Sequence, residues 1–349
     1  MLAILIVFTS FAFIDSGTSV SYKGITPSVL YSVPIVIVNN GTNATPSPFD
    51  EEIVVNSSYY AAYENANLSN VFFSFSNGTT IPSWLQSGNS NTLSNTTYWL
   101  KLNQSIAPLG RITVYMSFLP LGKIAFNGVS TGEAPELTSI YGYYDNGADV
   151  FNFYYNFSGT SLNGSIWNIG MSSNYVVNNG ISFNATPGQI VSNQRFIAPS
   201  TVQAFGVMAN QTQFNSTSCF LGGVGFGNGA IVGSAPVMTS GWAENSTNWL
   251  GLSVWDSGVC GVPYGVNAYG YSRSLNPNDS YVYGVTFLNG SSTLGSINNV
   301  VMNKSHVLLY SSPTDLNVVM GFQSGNYPKL NHFYWVFLKW QLRSLQSID

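Results

Sequence analysis

Along this chain, apolar residues recur at every second position in short runs, and each run is closed by Asn, Gly, Ser or Pro. The clearest case is Arg111–Phe118. There Ile112, Val114, Met116 and Phe118 alternate with Thr113, Tyr115 and Ser117, which is the period of a half-buried strand. The same grammar predicts strands at 32–38, 52–55, 71–75, 79–85 and 97–102. Farther on it predicts them at 149–155, 180–184, 202–208, 220–226, 250–255, 262–271, 280–287, 316–322 and 332–342. The last of these, HFYWVFLKWQL, carries Tyr334, Val336, Leu338 and Trp340 on one face and Phe333, Trp335 and Phe337 on the other. A strand apolar on both faces is covered on both, so it is expected at the centre of its sheet. No helical period and no fixed-length repeat interrupts the series, so the expected class is all-β, built as antiparallel sandwiches.

At 349 residues the chain exceeds what one hydrophobic core usually serves. A seam is expected in YGYYDNGADVFNFYYNF, residues 141–157, where aromatics flank a polar turn at Asp145, Asn146 and Gly147. The expected organisation is an apolar leader over 1–20, a first sandwich over 21–142 and a second over 143–345. Residues 2–14 (LAILIVFTSFAFI) are too short to span a bilayer as a helix. They read as the core of an export signal, with a retained short anchor and an ordinary core strand as alternatives.

Composition sharpens the setting. Charged residues make up 7% of the chain, against about a quarter in ordinary domains, while aromatics reach 15%. Such a chain has ample material for a core and a surface wetted by hydroxyls and amides, which suits an acidic exterior. With a net charge of -4 and its Lys and Arg scattered, it offers no basic stripe for nucleic acid. Asn-x-Ser/Thr triplets begin at Asn40, Asn43, Asn56, Asn67, Asn77, Asn95, Asn103, Asn156, Asn163, Asn184, Asn210, Asn215, Asn245, Asn278, Asn289 and Asn303. They point to an exported glycoprotein, although a chain this rich in Asn, Ser and Thr also forms such triplets by chance. Cys219 and Cys260 are read as one disulfide, worth about 4 kcal/mol in the loop-entropy model, with two buried thiols as the alternative.

Val33-Pro34-Ile35-Val36-Ile37, Ile81-Pro82-Ser83-Trp84-Leu85, Tyr98-Trp99-Leu100-Lys101, Thr131-Gly132-Glu133-Ala134-Pro135 and the seam together resemble a domain of unknown function found in archaeal surface proteins. Trp167, Asn179-Gly180 and the closing Phe333-Tyr334-Trp335-Val336-Phe337-Leu338 are similar to a concanavalin A-like lectin/glucanase module. The resemblance covers about residues 30–345. It implies a jelly-roll second domain and a surface location, and no particular activity.

Glycoside hydrolysis, the chemistry this resemblance invites, usually needs two carboxylates flanking the scissile bond. The second half offers Asp149, Glu244, Asp256, Asp279, Asp315 and Asp349, none two apart; the one pair at that spacing is Asp50 and Glu52, in the first half. His306 and His332 are solitary, and no nucleophile elbow, zinc motif or phosphate loop occurs, so a non-enzymatic protein is expected. Asp145, Asn146 and Asp149 are a candidate calcium set, with turn formation as the plainer reading. Trp242, Trp249, Trp255, Tyr264, Tyr269 and Tyr271 are candidates for stacking on sugar rings, with core packing as their alternative. The expectation is therefore an extracellular surface protein for adhesion or recognition, its partners glycans or other surface proteins, and membrane contact only through the leader. A coat or filament subunit and a glycoside hydrolase are the alternatives.

Overall fold

The computed structural model describes residues 29–171, 175–185, 188–196, 204–213, 220–227, 238–244, 250–254, 269–273, 279–288, 292–298, 300–305, 316–322 and 327–341. The chain is almost entirely β and divides into two compact units, Met1–Phe151 and Asn152–Asp349. Among the described residues no helix is long and apolar enough to cross a membrane.

The first unit holds strands β1 (Tyr31–Val38), β2 (Phe49–Val55), β3 (Val71–Phe75), β4 (Thr80–Ile81), β5 (Ser83–Ser87), β6 (Thr96–Leu102), β7 (Arg111–Phe118) and β8 (Thr131–Glu133). They form two four-stranded sheets, β1-β7-β3-β4 and β2-β6-β5-β8. Pro82 divides the expected run 79–85 into β4 and β5, because proline cannot donate to a ladder. All pairings here are antiparallel except β5–β8, which runs parallel with Ser83 opposite Thr131. Between the sheets lie Phe73, Tyr98, Leu100, Val114, Met116 and Phe118, all buried, and Phe73 meets Tyr98 edge-on at 5.1 Å.

Uncharged amides hold the loops of this unit. Asn39, fully buried, donates from Nδ2 to the carbonyls of Asn43, Ile106 and Ala107 at 2.8, 2.9 and 3.1 Å. Asn70 does the same for Tyr63 and Leu119 at 2.8 and 2.7 Å. Each buried bond of this kind contributes about 1 kcal/mol net, and far more is lost if one partner is removed.

The seam differs from the strand expected at 149–155. Residues Gly147–Val150 form a single helical turn, α1, and extended structure resumes only at β9 (Tyr154–Tyr155). The Asp145 carboxylate explains the turn. Its Oδ1 accepts from the Gly147 amide and from Trp84 Nε1, both at 3.0 Å. Phe151 then packs edge-on against Trp84 and Trp99, at 5.4 and 5.7 Å, so the first unit ends at Phe151.

The second unit continues with β10 (Trp167–Met171), β11 (Tyr175–Val177), β12 (Ile181–Ala185), β13 (Gly188–Phe196), β14 (Ala204–Gln213), β15 (Phe220–Gly227), β16 (Met238–Glu244), β17 (Leu250–Val254) and β18 (Tyr269–Arg273). It closes with β19 (Ser280–Leu288), β20 (Ser292–Ile297), β21 (Val300–Ser305), β22 (Leu316–Phe322) and β23 (Tyr327–Gln341). One sheet runs β10-β13-β22-β15-β16; the larger runs β11-β12-β23-β14-β19-β20-β21, with β9 also on β23; β17 and β18 pair separately. This is a jelly roll of two packed sheets. As its two apolar faces require, β23 sits between β12 and β14, with Trp335, Val336, Phe337 and Leu338 fully buried. A bulge at this point pairs Asn210 with Trp335 and Gln211 with Phe333, skipping Tyr334, and Phe333 joins Val336 and Leu338 in the core.

Candidate functional site

Register divides the larger sheet into two faces. Val207, Ala209, Tyr283, Val285, Ile297, Val336 and Leu338 belong to the core shared with Val224, Phe226, Val318 and Met320 of the other sheet. The opposite face is built in three rows: Lys339, Gly206 and Thr286; Phe337, Met208, Gly284 and Ser296; Trp335, Asn210 and Val282. Two of those positions are glycine, and both are crowded. A Cβ on Gly206 would lie 2.7 Å from Thr286 Oγ1 and 3.1 Å from Lys339 Cε; one on Gly284 would lie 2.6 Å from Ser296 Oγ. The missing side chains are what let these polar groups lean over the sheet.

Trp335 and Phe337 stack beside them, with ring centroids 5.2 Å apart and planes 15° from parallel. Asn210, Thr286, Ser296 and Lys339 are all buried, and the Thr286 and Ser296 hydroxyls have no hydrogen-bond partner. A buried hydroxyl without a partner costs about 1–3 kcal/mol, so the arrangement is one that an incoming polar group would relieve. Among the described residues of this face none is acidic.

A second polar pair sits where β12 meets β23. Ser182 Oγ lies 2.8 Å from His332 Nδ1, and the His332 ring meets Tyr334 edge-on at 4.5 Å. Burial pushes the imidazole below its ordinary pKa, against the opposing pull of the Asn179 backbone. Gly180, at φ +124°, lies under the ring, where a Cβ would come within 2.2 Å of His332 Nε2. This histidine is packed within β23, opposite Ser182 of β12.

The candidate calcium residues serve the seam. Asp145 holds the turn and Trp84, while Asn146 donates from Nδ2 to the carbonyls of Ser83 and Val129 at 3.1 and 3.2 Å. Asp149 is exposed, and its backbone carbonyl accepts from Lys101 Nζ at 2.8 Å. No cluster of three or more His, Cys, Asp or Glu suited to a metal occurs among the described residues.

Of the candidate sugar-stacking residues, Trp249, Trp255 and Tyr264 lie outside the described residues, as do Cys219 and Cys260. Trp242 stands on β16 opposite Gly222, and Tyr269 and Tyr271 on β18 opposite Val254 and Leu252. Among the sequons, Asn210 is corrected: at 7% exposure, between β19 and β23, it does not present its amide to solvent. Asn215, Asn245, Asn278 and Asn289 fall outside the described residues; Asn184 and Asn303 are placed only by their strands, β12 and β21.

The first unit contains a feature the sequence did not signal. Glu64, Glu133 and Tyr98 are buried together, and burial, with help from both carboxyls, pushes the tyrosine hydroxyl well above its ordinary pKa. Burial raises Glu64 to about 8, the Ser57 hydroxyl partly opposing it, and raises Glu133 to about 7 with help from Glu136 and Asp145. Asp50 and Glu52, the alternating pair, stand on β2 opposite Lys101 and Trp99.

No family model matches the chain, so the archaeal surface domain that the first half resembles is not shown. A curated relative, Uncharacterized protein 562 of Sulfolobus islandicus rod-shaped virus 1, is 29% identical over 269 residues. The match covers 75% of this chain and 42% of the relative, so the chain spans about two fifths of that protein's length. Solved structures similar in fold include an endo-acting O-glycanase of the human gut microbiota, with TM-score 0.43 and 12% identity, covering 54% of this chain and 99% of that one. An endo-1,3-β-glucanase of Streptomyces sioyaensis gives 0.41 and 12%, covering 54% and 95%. A carbohydrate-binding module of Bacillus subtilis gives 0.36 and 9%, covering 50% and 96%.

These likenesses are of fold alone. They also correct the expectation of a protein without enzymatic activity. The structures sharing this architecture are mostly glycan hydrolases and lyases, so the fold supplies no ground for setting catalysis aside.

Proposed function

We propose that the second unit binds carbohydrate chains outside the cell, in a protein serving recognition or adhesion at a surface. The observation that supports this is the polar face of the larger sheet. There the partnerless hydroxyls of Thr286 and Ser296 flank Gly206 and Gly284, beside the Trp335–Phe337 stack. Trp335, Phe337, Thr286 and Ser296 are fully buried, so a sugar reaches them only as whatever lies over this face gives way; there aromatic faces pack against sugar C–H groups, and hydroxyls and amides exchange hydrogen bonds with sugar hydroxyls. The scarcity of charge along the chain fits the same chemistry.

The test is calorimetry and glycan-array binding with the whole chain, its Thr286→Val variant and its Ser296→Ala variant. Both variants are expected to bind at least about tenfold more weakly, while Thr286→Val melts no lower than the parent because a buried orphan hydroxyl has gone. Absence of binding to every glycan at millimolar concentration would refute the reading. New reducing ends in the same mixtures would show cleavage as well as binding.

A second reading, a coat or filament subunit, draws on β1. This edge strand of eight residues leaves Tyr31 44% and Val36 52% exposed. Ligand-free assembly in sedimentation would favour it.

A further inference from the structure

We infer that the protein carries N-linked glycans on three exposed turns, at Asn67, Asn77 and Asn163, and none on Asn210. The inference rests on the reading that the chain is exported.

A triplet is a usable acceptor only where a transferase reaches the asparagine nitrogen. Asn67, Asn77 and Asn163 are exposed, and in each the side-chain oxygen is engaged by the triplet's own third residue. Asn67 Oδ1 accepts from the Ser69 amide at 3.3 Å and its hydroxyl at 2.8 Å. Asn77 Oδ1 accepts from the Thr79 amide at 3.0 Å. Asn163 Oδ1 accepts from the Ser165 amide at 3.0 Å and its hydroxyl at 2.7 Å. The turn thus fixes the oxygen against the protein and leaves Nδ2, which donates to no protein group, as the outward end of the side chain. Asn56 uses the same contact, from the Ser58 hydroxyl at 2.6 Å, but is half-buried. Asn210 is the counter-case, since sugar on it would have to part β14 from its neighbours.

The sugar donor is a lipid-linked oligosaccharide phosphate. The bond from its anomeric carbon to phosphate oxygen breaks, a bond from that carbon to Nδ2 forms, one Nδ2 proton passes to a base of the transferase, and the lipid phosphate leaves.

The test is mass spectrometry of the whole protein from its native source, intact and as peptides fragmented so that attached sugar is retained. Sugar is expected on the peptides holding Asn67, Asn77 and Asn163, with the Asn210 peptide bare. Asn77→Gln and Thr79→Ala should each remove one glycan mass and Thr79→Ser should retain it. Asn77→Gln should leave the melting temperature within about 1 °C, as expected for an exposed turn. Bare peptides at all three positions, or sugar on Asn210, would overturn the inference. The glycan-binding experiment uses recombinant protein without attached sugar, so the two readings fail separately.

Discussion

Replacing Glu64 with Gln should stabilise the first unit at alkaline pH and leave it unchanged in acid. Glu64 is 2% exposed, and burial lifts its carboxyl from 4.5 to about 8. In the unfolded chain the group returns to its ordinary value, so between about pH 4.5 and 8 the folded state holds a proton that the unfolded state has lost. Stability from this source is therefore complete below about pH 4.5 and disappears as the pH rises through about 8. At about 1.4 kcal/mol per pKa unit the full displacement would be worth about 5 kcal/mol; allowing for screening by nearby water, we expect about 2–3 kcal/mol. Gln mimics the protonated acid at every pH. The assay is hydrogen exchange of the β6 peptide, Thr96–Leu102, comparing parent and variant at the same pH so that intrinsic exchange cancels. Equal protection is expected near pH 4.5 and about 30- to 150-fold slower exchange in the variant at pH 8.5. A difference that does not change with pH, or a parent that gains protection as the pH rises, would refute the reasoning.

Further outcomes follow from other contacts. The second unit should respond to pH in the opposite sense, because His332 is held neutral below its ordinary pKa; protection of the β12 peptide should fall as the pH drops below about 6.5, and a rise would contradict this. Phe151→Ala removes the ring that packs on Trp84 and Trp99 and should cost the first unit about 3–5 kcal/mol in denaturant unfolding; a loss under about 1 kcal/mol would show that the seam does not close that unit. Gly180→Ala combines φ +124° with a clash against the His332 ring and should cost about 2 kcal/mol or more, with a displaced His332 NMR signal; an unshifted signal would show that the ring does not rest on Gly180.

Strand grammar was legible where burial is one-sided. Arg111–Phe118 and Val71–Phe75 carry their alternation in the side chains themselves and fall where the pattern puts them. β23 was legible as a central strand for the complementary reason. The pattern is poor where glycine or small polar residues carry the strand, so β8, β16 and β20 gave no usable signal. The seam misled because Val150, Phe151 and Phe153 are apolar in any conformation, and only the Asp145 contact with Trp84 Nε1, 61 residues away in sequence, selects a helical turn. The polar face of the larger sheet was half visible. Trp335 and Phe337 share a strand face in the sequence, but their neighbours Thr286, Ser296 and Gly206 arrive through strand register. The Glu64–Glu133–Tyr98 group was invisible for the same reason, since proximity across a folded core leaves no local trace.

The position of β23 also bears on how the chain is made. A ribosome delivering the polypeptide from its amino end releases β12 and β14 long before the strand that joins them, so through residue 322 the nascent second unit lacks its keystone. Until β23 emerges, β12 and β14 have no strand between them to pair with, so the larger sheet is completed only when the last strand is delivered.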